Sequence, residues 1–370
     1  MKIKTMVIGG ILIILALTFL ISYELTGNVV KEDTIKVGAI FPLTGQASSD
    51  GNNAINGIKI AIKEINANGG LNGKKVELVA EDSNSDDSKT VISAYRSLKS
   101  RDIDLIIGPL YSPAGQALSP ITCSDKSILI APAIGIKGFT SEKCNYTFDM
   151  WPEDYINSRK FGDYIVESGY RKIAIIGSTQ SWCNEQAEGV REGIIERNGE
   201  IVSYIIVDDS NKDFLTEIAK INNAKPDAVV FTNYFTMNIV AKKLREYGND
   251  ANFFTVLLNQ KDIDNAAGAF ENAISISSFT PIEEFSNKFE KEYGKTPGFP
   301  ADTSYDSMMW LAKAMKETKS TDPTEIQKYL HTLKDYDGAS GSLTFDGNGG
   351  ITKEQKFYIV KNGKLEEFNI

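Results

Sequence analysis

Beyond residue 33 the chain alternates short apolar runs with amphipathic stretches, and the series starts again partway along. The runs Ile35 to Phe41, Leu105 to Ile107 and Ile128 to Ala131 carry almost no polar residue, and Lys75 to Glu81 alternates. Runs of this kind have no face to give to water, so they predict parallel strands covered on both sides. Between the first two, Ile55, Ile58, Ile62 and Ile65 fall on one helical face before Asn68-Gly69-Gly70 ends it. Asp86 is the expected cap of a helix carrying Val91, Ala94, Tyr95 and Leu98. The restart predicts strands at Lys172 to Ile176, Ile201 to Val207, Ala228 to Phe231 and Phe253 to Leu257. Helices are expected through Ala187 to Ile194, Phe214 to Ile221 and Met237 to Tyr247. The expected fold class is α/β, with two doubly wound lobes. A length of 370 residues with 42% apolar content suits two cores rather than one.

The two halves resemble one another. Asp104-Leu105-Ile106-Ile107-Gly108-Pro109-Leu110-Tyr111 parallels Asp227-Ala228-Val229-Val230-Phe231-Thr232-Asn233-Tyr234, which puts Tyr111 and Tyr234 just past the carboxyl ends of equivalent strands. Open α/β sheets bind ligands there. Either the two tyrosines approach from opposite walls of a cleft, or each covers its own core.

Lys2 and Lys4 precede nineteen uncharged residues, Thr5 through Tyr23, and the acidic Glu24, Glu32 and Asp33 follow. This is an export segment with its positive end inside. Its exit offers no Ala-x-Ala site, and the first cysteine is Cys123, so no lipidated cysteine follows the run. The run just reaches the length of about 20 residues that spans a bilayer. An uncleaved membrane anchor is expected, with cleavage near residues 22 to 30 as the alternative. Outside the cytoplasm thiols oxidise, and Cys123 and Cys144, with 20 residues between them, are the expected disulfide. Cys183 is left as a buried thiol, and Asn145-Tyr146-Thr147 is a candidate glycosylation site at Asn145.

Several functions are disfavoured. Forty Lys and Arg against 49 Asp and Glu give a net charge of -9 with no basic run, so nucleic acid is not an expected partner. One His and three Cys cannot supply the usual zinc sets. Asp82, Asp86 and Asp87 lack the spacing of a calcium loop and read as a strand-to-helix connection. Neither metal nor cofactor is expected. No dinucleotide fingerprint, Walker A sequence or Gly-x-Ser-x-Gly elbow occurs. The single His331 reads as a solvated residue of a short helix, which leaves Cys183 or a serine nucleophile without a base. An enzyme is therefore not expected.

Phe41-Pro42-Leu43-Thr44-Gly45, then Ala61-Ile62-Lys63-Glu64-Ile65-Asn66-Ala67-Asn68-Gly69-Gly70 and Gly73-Lys74-Lys75-Val76-Glu77-Leu78-Val79-Ala80-Glu81-Asp82, resemble the opening of type I periplasmic binding proteins. The nearest group is the branched-chain amino acid binding proteins of ABC importers. Ile107-Gly108-Pro109-Leu110-Tyr111-Ser112, Ile130-Ala131-Pro132-Ala133 and Tyr305-Asp306 follow in the family's order. The resemblance implies a three-strand hinge, with crossings near Met150 to Asp154, Ser278 to Ile282 and Ala339 to Leu343. One lobe would hold residues 34–151 and 280–340. The other would hold 152–279 and 341–370, including a strand at Gln355 to Val360 and a hairpin turn at Asn362-Gly363.

The resemblance also implies a ligand site. Ser112 and the backbone at Ala133 match positions that bind a ligand carboxylate, while Trp182 and Tyr234 match aromatic positions of the second lobe. Two positions depart: Gly135 stands where amino acid binders place a threonine for the amine, and Thr255-Val256-Leu257-Leu258-Asn259 lacks their amine-binding acid. Asp50, where an aromatic residue is common, is the candidate substitute, and Ser112 could instead cap the helix beginning at Pro113. The implied function is an extracytoplasmic, membrane-attached monomer that closes on a small amino acid, amide or carboxylate and presents it to an ABC permease. A sensor ectodomain is the alternative.

Overall fold

The computed structural model describes residues 34–84, 87–140 and 143–368. The expected anchor, residues 5–23, and the expected cap Asp86 lie outside the described residues. Among the described residues no helix is long and apolar enough to cross a membrane.

Strand β1 (Ile35–Phe41) pairs in parallel with β2 (Val76–Asp82) on one side and β3 (Leu105–Ile107) on the other; β4 (Ile128–Ala131) and β5 (Thr147–Asp149) extend the sheet in the order β2-β1-β3-β4-β5. Every residue of β3 and β4 is buried, as their unbroken apolar runs require. Helix α1 (Ser48–Ala67) buries Ile55, Ile58 and Ile65 and ends at Asn68; Gly69 and Gly70 then take φ of 89° and 75°, which turn the chain into β2. Helix α2 (Ser88–Lys99) is capped by Asp87, whose carboxylate accepts from Lys89 N at 2.8 Å and Thr90 N at 3.1 Å, one residue beyond the expected cap. Helix α3 (Ser112–Ser124) follows β3.

The second sheet has the order β15-β14-β10-β9-β8-β6-β7. Its parallel strands are β6 (Lys172–Ser178), β7 (Glu200–Val207), β8 (Ala228–Phe231), β9 (Asn252–Val256) and β10 (Ile274–Ser277). The hairpin β14 (Lys356–Lys361) and β15 (Lys364–Phe368) adds to β10 antiparallel, through Asn362 and Gly363 at φ of 51° and 69°, the left-handed pair that a tight hairpin turn needs. Helices α4 (Asp154–Glu167), α5 (Ser181–Glu196), α6 (Leu215–Ala224), α7 (Met237–Glu246) and the short α8 (Gln260–Asn265) belong to this half.

After β10 the chain leaves the second sheet for α9 (Glu283–Tyr293), α10 (Ala301–Thr318) and α11 (Pro323–Leu330), and α10 packs along α1. A side chain on Gly57 would run into the Ala301 carbonyl and reach 3.2 Å from Tyr305 N, so glycine sets how closely the two helices meet. A small sheet, β11 (Asp335–Gly338), β12 (Gly341–Phe345) and β13 (Ile351–Thr352), completes this region. Phe345 stacks on Trp310 of α10 at 4.5 Å, and the Asp306 carboxylate takes Ala339 N at 2.7 Å and Ser340 N at 2.8 Å. Those contacts hold β12 and β13 to α10, so the last passage to the second sheet falls between Thr352 and Lys356 rather than at Ala339 to Leu343.

Cys123 and Cys144 form a disulfide with Cα atoms 5.8 Å apart, and Cys183 is a buried free thiol. Asn145 lies beside this bridge, exposed. His331 departs from its expected solvated role. Its Nδ1 is 3.1 Å from the Gly347 carbonyl oxygen and its Nε2 3.0 Å from that of Asn145, with the ring 4.9 Å from Phe148. The residue ties the disulfide-bearing loop to the β12–β13 turn.

Candidate ligand-binding cleft

Tyr111 follows β3 and Tyr234 follows β8, on different sheets, and both hydroxyls donate to the same oxygen of Asp50. Tyr111 Oη is 2.7 Å and Tyr234 Oη 3.0 Å from Asp50 Oδ2. Asp50 stands in the first turn of α1, where the helix dipole favours a negative group. Of the two openings left by the repeat, the structure takes the one in which the tyrosines converge. Burial raises the Asp50 carboxyl to about 6, against the two hydroxyls, which lower it. Burial, then the charges of Asp50 and Asp262, hold the Tyr234 hydroxyl well above its ordinary range, so it stays a donor.

Next to this junction lies a chamber of about 20 Å³, lined by Ser112, Ala133, Trp151, Gln180, Trp182 and Tyr234 among others. That volume holds one water. Ser112, 2% exposed, occupies the first turn of α3, whose N-cap position is Tyr111, and among the described residues no side-chain cap bond is made there. The capping alternative for Ser112 is therefore not realised. Trp182 sits in the first turn of α5, which begins with Gln180 accepting from Cys183 N at 3.1 Å, and meets Tyr234 edge to face at 6.4 Å.

Gly135 is not on the chamber wall. A side chain there would fall on the Asp154 carboxylate and 2.8 Å from Trp182 Nε1, and its carbonyl accepts from Asp154 N at 2.9 Å. The region where a threonine would stand is filled by Asp154, whose bonds sequence reasoning missed altogether. Its Oδ2 accepts Trp151 Nε1 at 2.7 Å and Trp182 Nε1 at 2.9 Å; its Oδ1 accepts Gln355 Nε2 at 2.9 Å and Ser278 Oγ at 3.2 Å. Burial raises this carboxyl to about 6 against those four donors. Trp182 thus spends its one polar atom within the protein and turns an apolar face to the chamber.

On the other side of Tyr234 opens a cavity of about 580 Å³ whose lining includes Asp50, Asn53, Tyr234, Asn259, Asp262 and Phe299. Tyr234, Leu257 and Phe299 line both spaces. Asn259 caps α8 by accepting from Asp262 N at 3.0 Å, and its amide lies 3.4 Å from Tyr234 Oη. Asp262 is raised to about 7, by burial first and by the charge of Asp50 second. Asp50 belongs to this larger space and not to the chamber of Ser112. Trp151, Gln180, Phe299 and Asp262 complete the walls without a motif to announce them; the aromatic Trp151 beside an expected crossing was the one readable signal.

Two α/β sheets whose strand ends bring aromatic residues to one enclosed space define a binding protein of the two-sheet, doubly wound kind. Residues 34–364 match the family profile described as "Periplasmic binding protein", and the chain belongs to that family. Its members are extracytoplasmic substrate-binding proteins of transporters, not enzymes. The chain is similar to the Leu/Ile/Val-binding protein of Escherichia coli strain K12, 25% identical over 88% of this chain and 90% of that one. Among solved structures it resembles the branched-chain amino acid transporter substrate binding protein LivJ from Streptococcus pneumoniae, in complex with isoleucine. That match has a TM-score of 0.83 and 25% identity over 90% of this chain and 98% of that one. A solute binding protein of an ABC transporter from Rhodopseudomonas palustris, in complex with 3,4-dihydroxy benzoic acid, gives 0.82 and 25% identity over 91% and 97%.

Proposed function

We propose that this protein captures a small amphipathic ligand between lobes built on its two large sheets and presents it to an ABC permease, held at the outer face of the membrane by residues 5–23. The convergence of Tyr111 and Tyr234 on Asp50 carries this reading, because it joins the ligand-facing ends of both sheets at one point. The Ser112 hydroxyl and the backbone at Ala133 suit a carboxylate or amide oxygen beside the amino-terminal turn of α3. Trp151, Trp182, Tyr234 and Phe299 suit the apolar part. Isoleucine and a dihydroxybenzoate, the ligands of the two similar structures, share that division into a carboxylate and an apolar body. A chamber of about 20 Å³ is too small for either, so binding requires the lobes to part and close again around the ligand.

Thermal-shift screening of the full-length chain against amino acids, amides and aromatic acids would find the ligand, since saturation at 100 times Kd adds about 2.7 kcal/mol of stability. Calorimetry of Ser112→Ala and Trp182→Ala with that ligand is then decisive. Each is expected to lose about tenfold in affinity, equivalent to about 1.4 kcal/mol. Unchanged affinity in both would remove the cleft assignment.

A further inference from the structure

The 580 Å³ cavity is larger than the chamber beside it and differs in chemistry. Two carboxylates line it, from opposite halves of the molecule: Asp50 from α1 of the first half and Asp262 from α8 of the second. Neither has an ion-pair partner among the described residues. Asp50 is bonded on Oδ2 alone, by two neutral hydroxyls, and its Oδ1 takes no hydrogen bond from any described residue. Two lysines also line the cavity, but Lys295 is bonded to Asn53 Oδ1 at 3.2 Å and Lys261 is exposed, acting on the two carboxylates only through its field. Burial disfavours the ionised form of both, and the charge of Asp50 adds to this at Asp262; the tyrosine hydroxyls on Asp50, the Asn259 side chain on Asp262 and the field of Lys261 oppose it without an ion pair.

The amine seat of an ordinary amino acid binder is closed here. By the resemblance, Gly135 stands where the hydroxyl would be and the carboxylate-free run Thr255 to Asn259 where the acid would be, and the Asp154 carboxylate with its two indoles fills the space above Gly135. A positive group on the ligand therefore has one place to go. That place lies past Tyr234, which walls both spaces and whose hydroxyl is already fixed on Asp50.

With the cleft as ligand site, on which this step rests, we infer that the substrate is a carboxylate or amide with a distal cationic group, an ammonium or guanidinium. Its polar head sits at Ser112 and Ala133, its apolar stem passes Tyr234, Leu257 and Phe299, and its cation lies between Asp50 and Asp262. Asp50 and Asp262 are then the residues that set specificity. The cation supplies the direct ion-pair partner that neither carboxylate has among the described residues. Closure follows from the same contact, since one carboxylate comes from each half and a cation held by both favours the state in which they are near.

Matched probes test the inference with the full-length chain: 5-aminovalerate against hexanoate, and L-arginine against L-citrulline, each pair differing chiefly in the distal charge. Calorimetry is expected to show at least tenfold tighter binding of the cationic member of a pair. Asp50→Asn and Asp262→Asn are each expected to erase about tenfold of that preference, while Ser112→Ala weakens both members alike. The inference is overturned if neither pair shows the preference, including the case in which no probe binds. It is overturned too if leucine or benzoate binds with an affinity that both asparagine variants leave unchanged; in that case Trp182→Ala still weakens binding and the cleft assignment survives. Should Trp182→Ala and Ser112→Ala also leave that affinity unchanged, the cleft assignment falls with it. The comparison within each pair uses the wild-type protein, so it does not depend on either variant folding.

Discussion

Asp154 is buried and Asp50 half-buried at a cavity wall, and burial raises both to about 6, yet the protein treats them in opposite ways. Asp154 is satisfied on both oxygens by four donors. Three of them, on Trp151, Ser278 and Gln355, come from the three segments that pass between the sheets, and Lys353 of the last segment donates to the Ser278 carbonyl at 2.7 Å. Asp50 is satisfied on one oxygen by two hydroxyls, and the residue lines a cavity. A carboxylate surrounded by donors from every strand of a junction fixes that junction in place. A carboxylate left half-bonded at a cavity wall is available to a ligand. The same shift in acidity therefore belongs to architecture in one place and to recognition in the other, and only the census of donors separates them.

The sharpest way to break this contrast is to delete each group. Asp154→Ala leaves two indole N–H groups, a hydroxyl and an amide without their acceptor in the interior. Unsatisfied buried donors cost about 1–3 kcal/mol each, and water entering the void relieves part of that, so a net loss of about 4 kcal/mol is expected. Asp50→Ala, whose partners reach the cavity, is expected to cost about 1 kcal/mol on the same scale. Urea denaturation of the two variants measures the difference. Equal losses would mean that both carboxylates are structural.

A pH titration of stability sharpens it further. The folded state holds the Asp154 proton more tightly than the unfolded chain, because its carboxyl is raised from 3.8 to about 6. Between those values the native state binds more protons, so stability falls as pH rises. The favourable contribution is complete below the unfolded value and is lost by about pH 6, a change of about 3 kcal/mol if the whole shift is expressed. Asp154→Asn is expected to remove that slope between pH 4 and 6. Asp50→Asn acts in the same direction with a smaller slope, since solvent in the cavity screens its charge. A steeper change from Asp50→Asn than from Asp154→Asn would reverse the assignment of the two roles.

What could be read from the sequence follows the same division between local and assembled features. Strands β1, β3, β4 and β8 were legible because a nearly all-apolar run has few alternatives to a buried parallel strand. Tyr111 and Tyr234 were legible because the two halves repeat and the aromatic positions coincide. The disulfide followed from compartment and spacing. Asp154 was opaque for a physical reason: its donors are Trp151, Trp182, Ser278 and Gln355, and no local pattern links residues that only the folded chain brings together. His331 was misread likewise, since the carbonyls that hold it belong to Asn145 and Gly347. The last crossing was placed too early because Ala339 to Leu343 gives no sign that Phe345 will stack on Trp310 and keep β12 with α10. Asp50 was found only as a departure from a resemblance, and its companion Asp262 was hidden in a short helix.

The smallest effect asks whether Asp50 depends on its tyrosines at all. Tyr111→Phe and Tyr234→Phe each remove one hydroxyl from Asp50 Oδ2 while keeping the ring, so each is expected to cost about 1 kcal/mol. In the single variants the remaining hydroxyl still serves the carboxylate. In the double variant Asp50 has no donor among the described residues, so the double loss should exceed the sum of the single ones by about 0.5 kcal/mol or more, the size expected for residues sharing one partner. A double-mutant cycle in urea measures this coupling directly. Strict additivity would mean that water in the cavity replaces the hydroxyls without cost, and Asp50 would then face solvent rather than hold the two halves together. Positive coupling that disappears in an Asp50→Asn background would locate the shared energy on the carboxylate itself, because only the charged group makes both hydrogen bonds strong.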